Sequence, residues 1–251
     1  MSKAKVSAGW LASEWLDEPL LAFGEGGRHV SPRSGVARYG PGSYGLPRHP
    51  QVIRLGVVGP GRLIEAARDW LRGLADGVSG SETTPEFPGC DISRGYMARV
   101  EFADQWNQVL SQSEMTSVLG EAKRVRRFSA AVDLVDAKLR VIGEQDSPPA
   151  VVIVALPDDL VRQCGTWMSP TQGVTSFRDL RRSIKARAMR WRLPTQFLRE
   201  STIDGRDPTP VARVAWNLFT GLYTKAGGYP WSPVGLRPGT CYIGTLSAKL
   251  E

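Results

Sequence analysis

The sequence predicts an α/β fold in which helices flank an open, largely parallel, Rossmann-like sheet. Two runs rich in β-branched residues, QVIRLGVVG at 51–59 and PAVVIVALP at 149–157, have the composition of strands. The second run is apolar on both faces, so it is predicted to be a central parallel strand covered on both sides. Amphipathic helical segments alternate with such runs along the chain, which is typical of a layered α/β domain.

Composition excludes several classes of protein. A content of 41% hydrophobic and 23% charged residues in 251 is a globular balance, which argues against disorder, collagen and coiled coil. The net charge of +7 permits a polyanionic partner. No apolar run approaches the roughly 18 residues of a membrane span, and the start resembles no secretion signal, so a cytoplasmic protein without a membrane partner is expected. The three cysteines and two histidines lack any metal-ligand spacing, so neither a zinc site nor a disulfide framework is predicted.

The first fifty residues are dense in glycine and proline and are predicted to be mostly connecting loop. Apolar side chains interrupt this stretch, which indicates that it lies ordered against a neighbour. Those side chains are Phe23, Val30, Val36 and Tyr39.

From residue 51 onward, strands and helices alternate. A tight turn follows the first strand and leads into a helix at 62–77, a polar loop at 78–95 and a half-buried strand at 96–102. Helices are also predicted at 104–119, 121–144, 176–190 and 210–225. A short strand at 194–201 and a last strand at 240–244 complete the prediction.

The turn after the first strand invites a dinucleotide-binding interpretation, because Gly59 and Gly61 begin a GxGxxG pattern. The third glycine of that motif is replaced by Ile64, and Pro60 removes a backbone N–H from the side that would face a phosphate. A merely tight strand-to-helix turn is the favoured interpretation, and a nucleotide-cofactor protein remains an alternative.

The predicted helix at 176–190 carries a cationic row beside its apolar stripe. Between residues 176 and 200, eight basic residues face only Asp179 and Glu200, a local excess of six positive charges. A basic helical face can simply be solvated. The shortage of acidic partners, together with the amide of Gln196 on the following strand, suits phosphate oxygens instead. The row consists of Arg178, Arg181, Arg182, Lys185 and, if the helix extends so far, Arg192.

The helix predicted at 210–225 ends in Lys225, followed by Gly227 and Gly228. A lysine in a last helical turn can serve only to favour the negative end of the helix dipole. An anion-binding role is the alternative.

Taken in order, these pieces resemble the MID domain of a prokaryotic Argonaute running into the start of its PIWI domain. The pieces that carry the resemblance are Lys185, PTQFL with Gln196, LYTKAGGYPW with Lys225, and the final CYIG. The specific part is the ordered set of Lys185, Gln196 and Lys225 with the two glycines, because the strands alone are generic. The resemblance implies an extension at 1–50, a MID domain at 51–236 and the first PIWI strand within 237–251. The similarity covers nearly the whole chain from about Asp17.

The resemblance implies a site for the 5′-terminal phosphate and first base of a guide strand, formed by Arg181, Lys185, Gln196 and Lys225. Arg181 stands where the family commonly has an aromatic base-stacking residue, and a guanidinium can stack on a base or pair with the phosphate. Arg178, Arg182 and Arg192 are expected to make secondary backbone contacts. Thr195 and Asn217 are expected to be structural.

The resemblance also limits the expected chemistry. Thr245 and Leu246 stand where the family has its first catalytic Asp, so no catalytic residue is expected in this chain. The family's Mg²⁺ beside the guide phosphate would have an incomplete site here. The implied partners are a 5′-phosphorylated guide RNA or DNA and its complementary target, in defence against foreign nucleic acid. A scaffold role beside a separate PIWI or effector protein is an alternative.

Overall fold

The computed structural model describes residues 7–8, 11–12, 17–171, 174–235 and 237. The described strands are β1 (Ser7–Ala8), β2 (Leu11–Ala12), β3 (Leu21–Ala22), β4 (Arg28–His29), β5 (Val52–Gly59), β6 (Arg99–Val109), β7 (Val151–Leu156), β8 (Thr166–Thr171), β9 (Val174–Asp179), β10 (Thr195–Arg199) and β11 (Ser232–Pro233). The described α-helices are α1 (Pro32–Tyr39), α2 (Gly61–Ala75), α3 (Gln112–Gly120), α4 (Arg124–Gly143), α5 (Asp158–Cys164), α6 (Leu180–Ala188), α7 (Glu200–Ile203) and α8 (Val211–Lys225). None of these helices is long and apolar enough to cross a bilayer.

Four parallel strands form the central sheet in the order β10-β7-β5-β6. Helices flank both faces, so the predicted Rossmann-like α/β fold is confirmed. All six residues of β7 are at most 1% exposed, which confirms that this strand is central. Successive side chains of a strand point to opposite faces, so Val151 and Ile153 enter the core under α2 and α8. Val152 and Val154 enter the core under α4 and α6.

The predicted helix at 104–119 is wrong over its first part, because β6 continues to Val109. After a register shift, Asn107 and Val109 pair with Val57 and Gly59 on β5, and Trp106 is buried beside them. Pairing with a neighbouring strand overrides the helical spacing of the apolar residues. The helix proper, α3, begins after Ser111, whose side chain and Glu114 form a reciprocal capping box.

The predicted helix at 176–190 is also corrected. Residues 176–179 belong to β9, which pairs with β8 in an antiparallel hairpin. The helix begins at Leu180 because the side chain of Asp179 accepts a 2.8 Å hydrogen bond from the amide of Arg182. Arg178 therefore lies on a strand and does not belong to the cationic face of α6.

Residues 17–50 lie ordered against the rest of the chain, as predicted, and they contain an unpredicted helix. Ser31 caps α1 and Pro32 occupies its first turn, a common helix start. Phe23 and Val36 are buried in the core that lies under α2 and α8. Strand β11 joins β3 and β4 in a small antiparallel sheet, which ties this segment to the chain beyond α8. The predicted strand at 240–244 lies outside the described residues.

Candidate functional site

A cleft of about 1140 Å³ opens at the edge of the sheet formed by β10. Helices α5 and α7 follow the carboxyl ends of the parallel strands β7 and β10, and both contribute to its wall. Helices α6 and α8 close the other sides. Open α/β sheets commonly bind ligands at the carboxyl ends of their strands, so the cleft is the candidate ligand site.

Lys225 and Gln196 meet in this cleft. The ammonium of Lys225, in the last turn of α8, donates a 2.8 Å hydrogen bond to Oε1 of Gln196 on β10. Gly221, one turn earlier on α8, leaves the space that the lysine uses: a Cβ there would lie 3.3 Å from Nζ of Lys225. No sequence motif marks Gly221, because its role depends on the close approach of α8 to β10.

Helix α6 places two further cations next to Lys225. Leu180, Ile184 and Ala188 are buried, which turns the helix so that Arg181 is exposed and Lys185 is half-buried. Four residues make about one turn, so these two side chains lie above one another on one face. Arg181 lines the cleft, whereas Lys185 does not line it and interacts through its charge with Arg181 and Lys225.

The electrostatics show that these cations lie close together. Burial lowers the pKa of Lys225, and the positive charges of Lys185 and Arg181 lower it further. Burial likewise lowers the pKa of Lys185, again with a contribution from Arg181. None of the three pairs with a carboxylate anywhere in the described residues. By contrast, Arg187 on another face of α6 pairs with Asp133 and Asp136 of α4.

The three secondary cations lie outside the cleft wall. Arg178 is exposed on β9, and Arg182 is exposed on the first turn of α6. Arg192 is exposed in the turn before β10, with a left-handed φ of 55°. Asn217, which the sequence suggests is structural, lines the cleft, whereas Thr195 is buried.

Three arginines that the sequence reasoning did not select also line the cleft. Arg124, at the start of α4, donates a 2.6 Å hydrogen bond to the carbonyl of Thr166. Arg162 pairs with Asp159 on α5, and Arg199 ends β10. The excess of basic residues at the start of α4 is visible in the sequence, but only the fold brings that helix to the cleft.

The far end of the cleft is polar and internally satisfied. Asp158 accepts a 3.0 Å hydrogen bond from the hydroxyl of Ser201 and pairs with Arg206 at 3.1 Å. Asp207 accepts a 2.9 Å hydrogen bond from the amide of Thr209. Within the described residues, no group of three or more acidic, histidine or cysteine side chains could hold a metal ion.

The turn at Gly59 has a packing explanation. A Cβ at Gly59 would lie 2.6 Å from the carbonyl oxygen of Ala155, so this glycine allows β5 and β7 to approach. The carbonyl of Pro60 accepts hydrogen bonds from the amides of Leu63 and Ile64, which closes the first turn of α2. Nothing in this arrangement calls for a dinucleotide, and Lys185, Gln196 and Lys225 do not line the small pocket at the turn.

The solved structures that resemble this chain include Argonautes. Aa-Ago with externally bound siRNA gives a TM-score of 0.49 at 11% identity, over 86% of this chain and 24% of that one. The Argonaute of Aquifex aeolicus gives a TM-score of 0.47 at 12% identity, over 86% of this chain and 25% of that one. The Argonaute of Clostridium butyricum, bound to a guide DNA and a 19-mer target DNA, gives a TM-score of 0.49 at 16% identity. The match covers 89% of this chain and 25% of that one. The chain thus spans about a quarter of their length. No protein-family model and no curated protein matches the chain.

Proposed function

We propose that this chain binds the 5′-terminal phosphate of a nucleic-acid strand at the cationic end of the cleft. One observation carries the proposal: Arg181, Lys185 and Lys225 come from two helices and have no carboxylate partner within the described residues, and Arg181 lies close enough to both lysines to lower the pKa of each. Clustered, partly buried cations repel one another, so an anion bound between them relieves that repulsion.

A phosphate suits this site better than a carboxylate or a simple halide. Its oxygens accept several charge-assisted hydrogen bonds at once, and the cluster offers two ammonium groups and a guanidinium. A terminal phosphate carries about two negative charges near neutral pH, whereas a backbone diester carries one. The site should therefore favour a strand end over the interior of a strand.

The volume of the cleft indicates that the ligand is larger than the phosphate itself. A space of about 1140 Å³ exceeds what one phosphate occupies, and its walls include the apolar side chains of Phe197, Leu198 and Leu218. We propose that the first nucleotide follows the phosphate into this space. Arg181 is then placed either to stack on the base or to pair with the phosphate.

Each residue of the proposed site has a separate role. Lys225 and Lys185 contact the phosphate, and Gln196 holds the ammonium of Lys225 without neutralising it. Arg178, Arg182 and Arg192, which lie outside the cleft, would meet the backbone of a longer strand. The sequence resemblance to an Argonaute MID domain supports the same assignment of Lys185, Gln196 and Lys225.

We further propose that the bound strand acts as a guide for a complementary target, in defence against foreign nucleic acid. The proposed activity of this chain is binding without cleavage, with a PIWI or effector protein as a proposed partner. No step of the proposal uses Mg²⁺.

The test compares two oligonucleotides of one sequence, one with a 5′-phosphate and one with a 5′-hydroxyl, by fluorescence anisotropy at fixed salt. Lys185→Ala and Lys225→Ala should each weaken binding of the phosphorylated strand about tenfold or more, and that of the hydroxyl strand far less. Arg140→Ala, which removes an exposed charge on α4, is the matched control. Equal losses for both strands would reduce the site to a nonspecific basic patch.

A further inference from the structure

A buried polar network joins the N-terminal segment to the last turn of α8. The hydroxyl of Tyr223 lies 2.6 Å from Oγ of Ser43 and 2.8 Å from Nδ1 of His49. The other ring nitrogen of His49, Nε2, lies 2.9 Å from the carbonyl oxygen of Met97. A carbonyl can only accept, so Nε2 carries a proton and donates it. In the neutral ring Nδ1 is then the acceptor, Tyr223 donates to it, and Ser43 donates to Tyr223.

Tyr223 also fixes the end of α8 through its ring and its backbone. The side chain is fully buried, and a Cβ on Gly228 would lie 2.3 Å from the ring, so the chain after the helix packs directly on it. The carbonyl of Tyr223 accepts a 3.1 Å hydrogen bond from the amide of Gly228. Three parts of one residue thus hold the turn in which Lys225 lies.

The N-terminal segment holds the other side of the same turn. The amides of Gly42 and Ser43 donate to the carbonyls of Pro230 and Tyr229, at 2.7 Å and 3.0 Å. The guanidinium of Arg48 lies 4.0 Å from the centre of the Tyr229 ring, within cation–π distance. Residues 42–49 therefore hold both the end of α8 and the chain that leaves it.

We propose that Tyr223, held by Ser43 and His49, is the positioning residue that directs Lys225 into the cleft. The inference rests on the proposed function and extends it, because it makes the segment before the α/β domain part of the anion site. Two residues along a helix are about 200° apart, so Tyr223 and Lys225 lie on nearly opposite sides of α8. The network fixes the back of the last turn, and the lysine extends from the front to Gln196.

Packing alone does not account for the hydroxyl of Tyr223. The surrounding core contains Phe87 and Phe219, so an apolar ring is tolerated in this region. A buried hydroxyl is costly unless it is bonded, and this one is bonded to two side chains from one distant segment. Fully satisfied buried networks select a single arrangement. Here that arrangement fixes the backbone of the last turn of α8, from which the flexible side chain of Lys225 extends.

The first test is Tyr223→Phe, which keeps the ring and removes the hydroxyl. It should reduce the preference for a 5′-phosphate over a 5′-hydroxyl strand about three- to tenfold, the range expected for one hydrogen bond. Tyr96→Phe is the matched control, since its hydroxyl bonds Thr220 of the same helix at 2.5 Å. It should lower the melting temperature similarly and leave the preference unchanged.

Two further measurements separate positioning from loss of stability. In a ¹³Cε NMR titration, Tyr223→Phe should move the pKa of Lys225 toward that of an exposed lysine, while the pKa of Lys185 moves less. His49→Ala should behave like Tyr223→Phe. His49→Gln, whose amide can both donate and accept, should restore part of the phosphate preference.

The outcomes distinguish the two proposals. If the wild-type chain does not prefer a 5′-phosphate, the proposed function fails, and the Lys225 titration alone then decides the positioning role. If Lys225→Ala loses the preference while Tyr223→Phe keeps it, only the positioning role is overturned. Equal losses in Tyr223→Phe and Tyr96→Phe would overturn it as well, because they would reflect general destabilisation.

Discussion

The ammonium of Lys225 lies 2.8 Å from Oε1 of Gln196, so the last turn of α8 is tied to the edge strand of the sheet through a neutral acceptor. An amide oxygen orients an ammonium but leaves its charge uncompensated. A carboxylate in the same place would pair with the lysine and repel an incoming anion. In the proposed function, this neutral partner leaves the charge of Lys225 available to a phosphate.

Gln196→Glu tests this relationship directly. The new carboxylate should pair with Lys225, raise the pKa of the lysine and reduce affinity for a 5′-phosphorylated strand by at least about tenfold, or about 1.4 kcal/mol. A ¹³Cε NMR titration of Lys225 and anisotropy titrations check the two effects. Gln196→Ala should cause a smaller loss, because it removes the orienting bond without adding a negative charge. Unchanged affinity in Gln196→Glu would place the phosphate elsewhere.

Gly221→Ala should separate stability from binding. Alanine is the better helix former by up to about 1 kcal/mol, so chemical denaturation should show a more stable protein. The added methyl group would lie 3.3 Å from Nζ of Lys225 and 3.7 Å from Oε1 of Gln196, so it should displace the lysine and weaken phosphate binding. Gly73→Ala, which meets no atom within 4 Å on α2, should give the stability without the loss of binding. Equal binding by both variants would contradict the site geometry.

The pH dependence of binding should have two limbs. Affinity should rise as the terminal phosphate gains its second charge near pH 6. Burial and neighbouring cations lower the pKa of Lys225 and Lys185, so their protons leave below the ordinary value of 10.5 and affinity falls in that alkaline range. Titrations at constant ionic strength measure both limbs. A strand with a 5′-hydroxyl should lack the acidic limb. If that strand also shows an acidic limb, the titrating group belongs to the protein and not to the phosphate.

Gly56→Ala tests why β5 and β6 change register. A Cβ at Gly56 would lie 2.6 Å from the carbonyl oxygen of Trp106. Backbone cannot move aside as a flexible side chain can, so the free energy of unfolding should fall by about 1–3 kcal/mol in urea titrations. Gly61→Ala, where the structure leaves open space, should have little effect. A neutral Gly56→Ala would mean that the β5–β6 pairing can relax.

The sequence by itself determined the features that depend on local pattern. The apolar run at 151–156 could only be a strand covered on both faces, and it is the buried strand β7. The apolar stripe of the last long helix and the glycines after it predicted a helix that ends at about Lys225, where α8 does end. These patterns predict local structure because burial of apolar area is the largest favourable contribution to folding, and the spacing of apolar residues indicates which surfaces are buried.

Only the tertiary structure decided the features that depend on a distant partner. Residues 104–109 have helical spacing, yet pairing with β5 makes them a strand, and the β8–β9 hairpin removes Arg178 from α6. The sequence predicted Lys225 and Gln196 as site residues, but only the fold brings Nζ of the lysine within 2.8 Å of Oε1 of the glutamine. The hydrogen bonds of Tyr223 with Ser43 and His49 could not be predicted either, because the local pattern of residues 19–50 indicates only a loop. Such contacts arise from the packing of elements far apart in the chain, and no local periodicity encodes them.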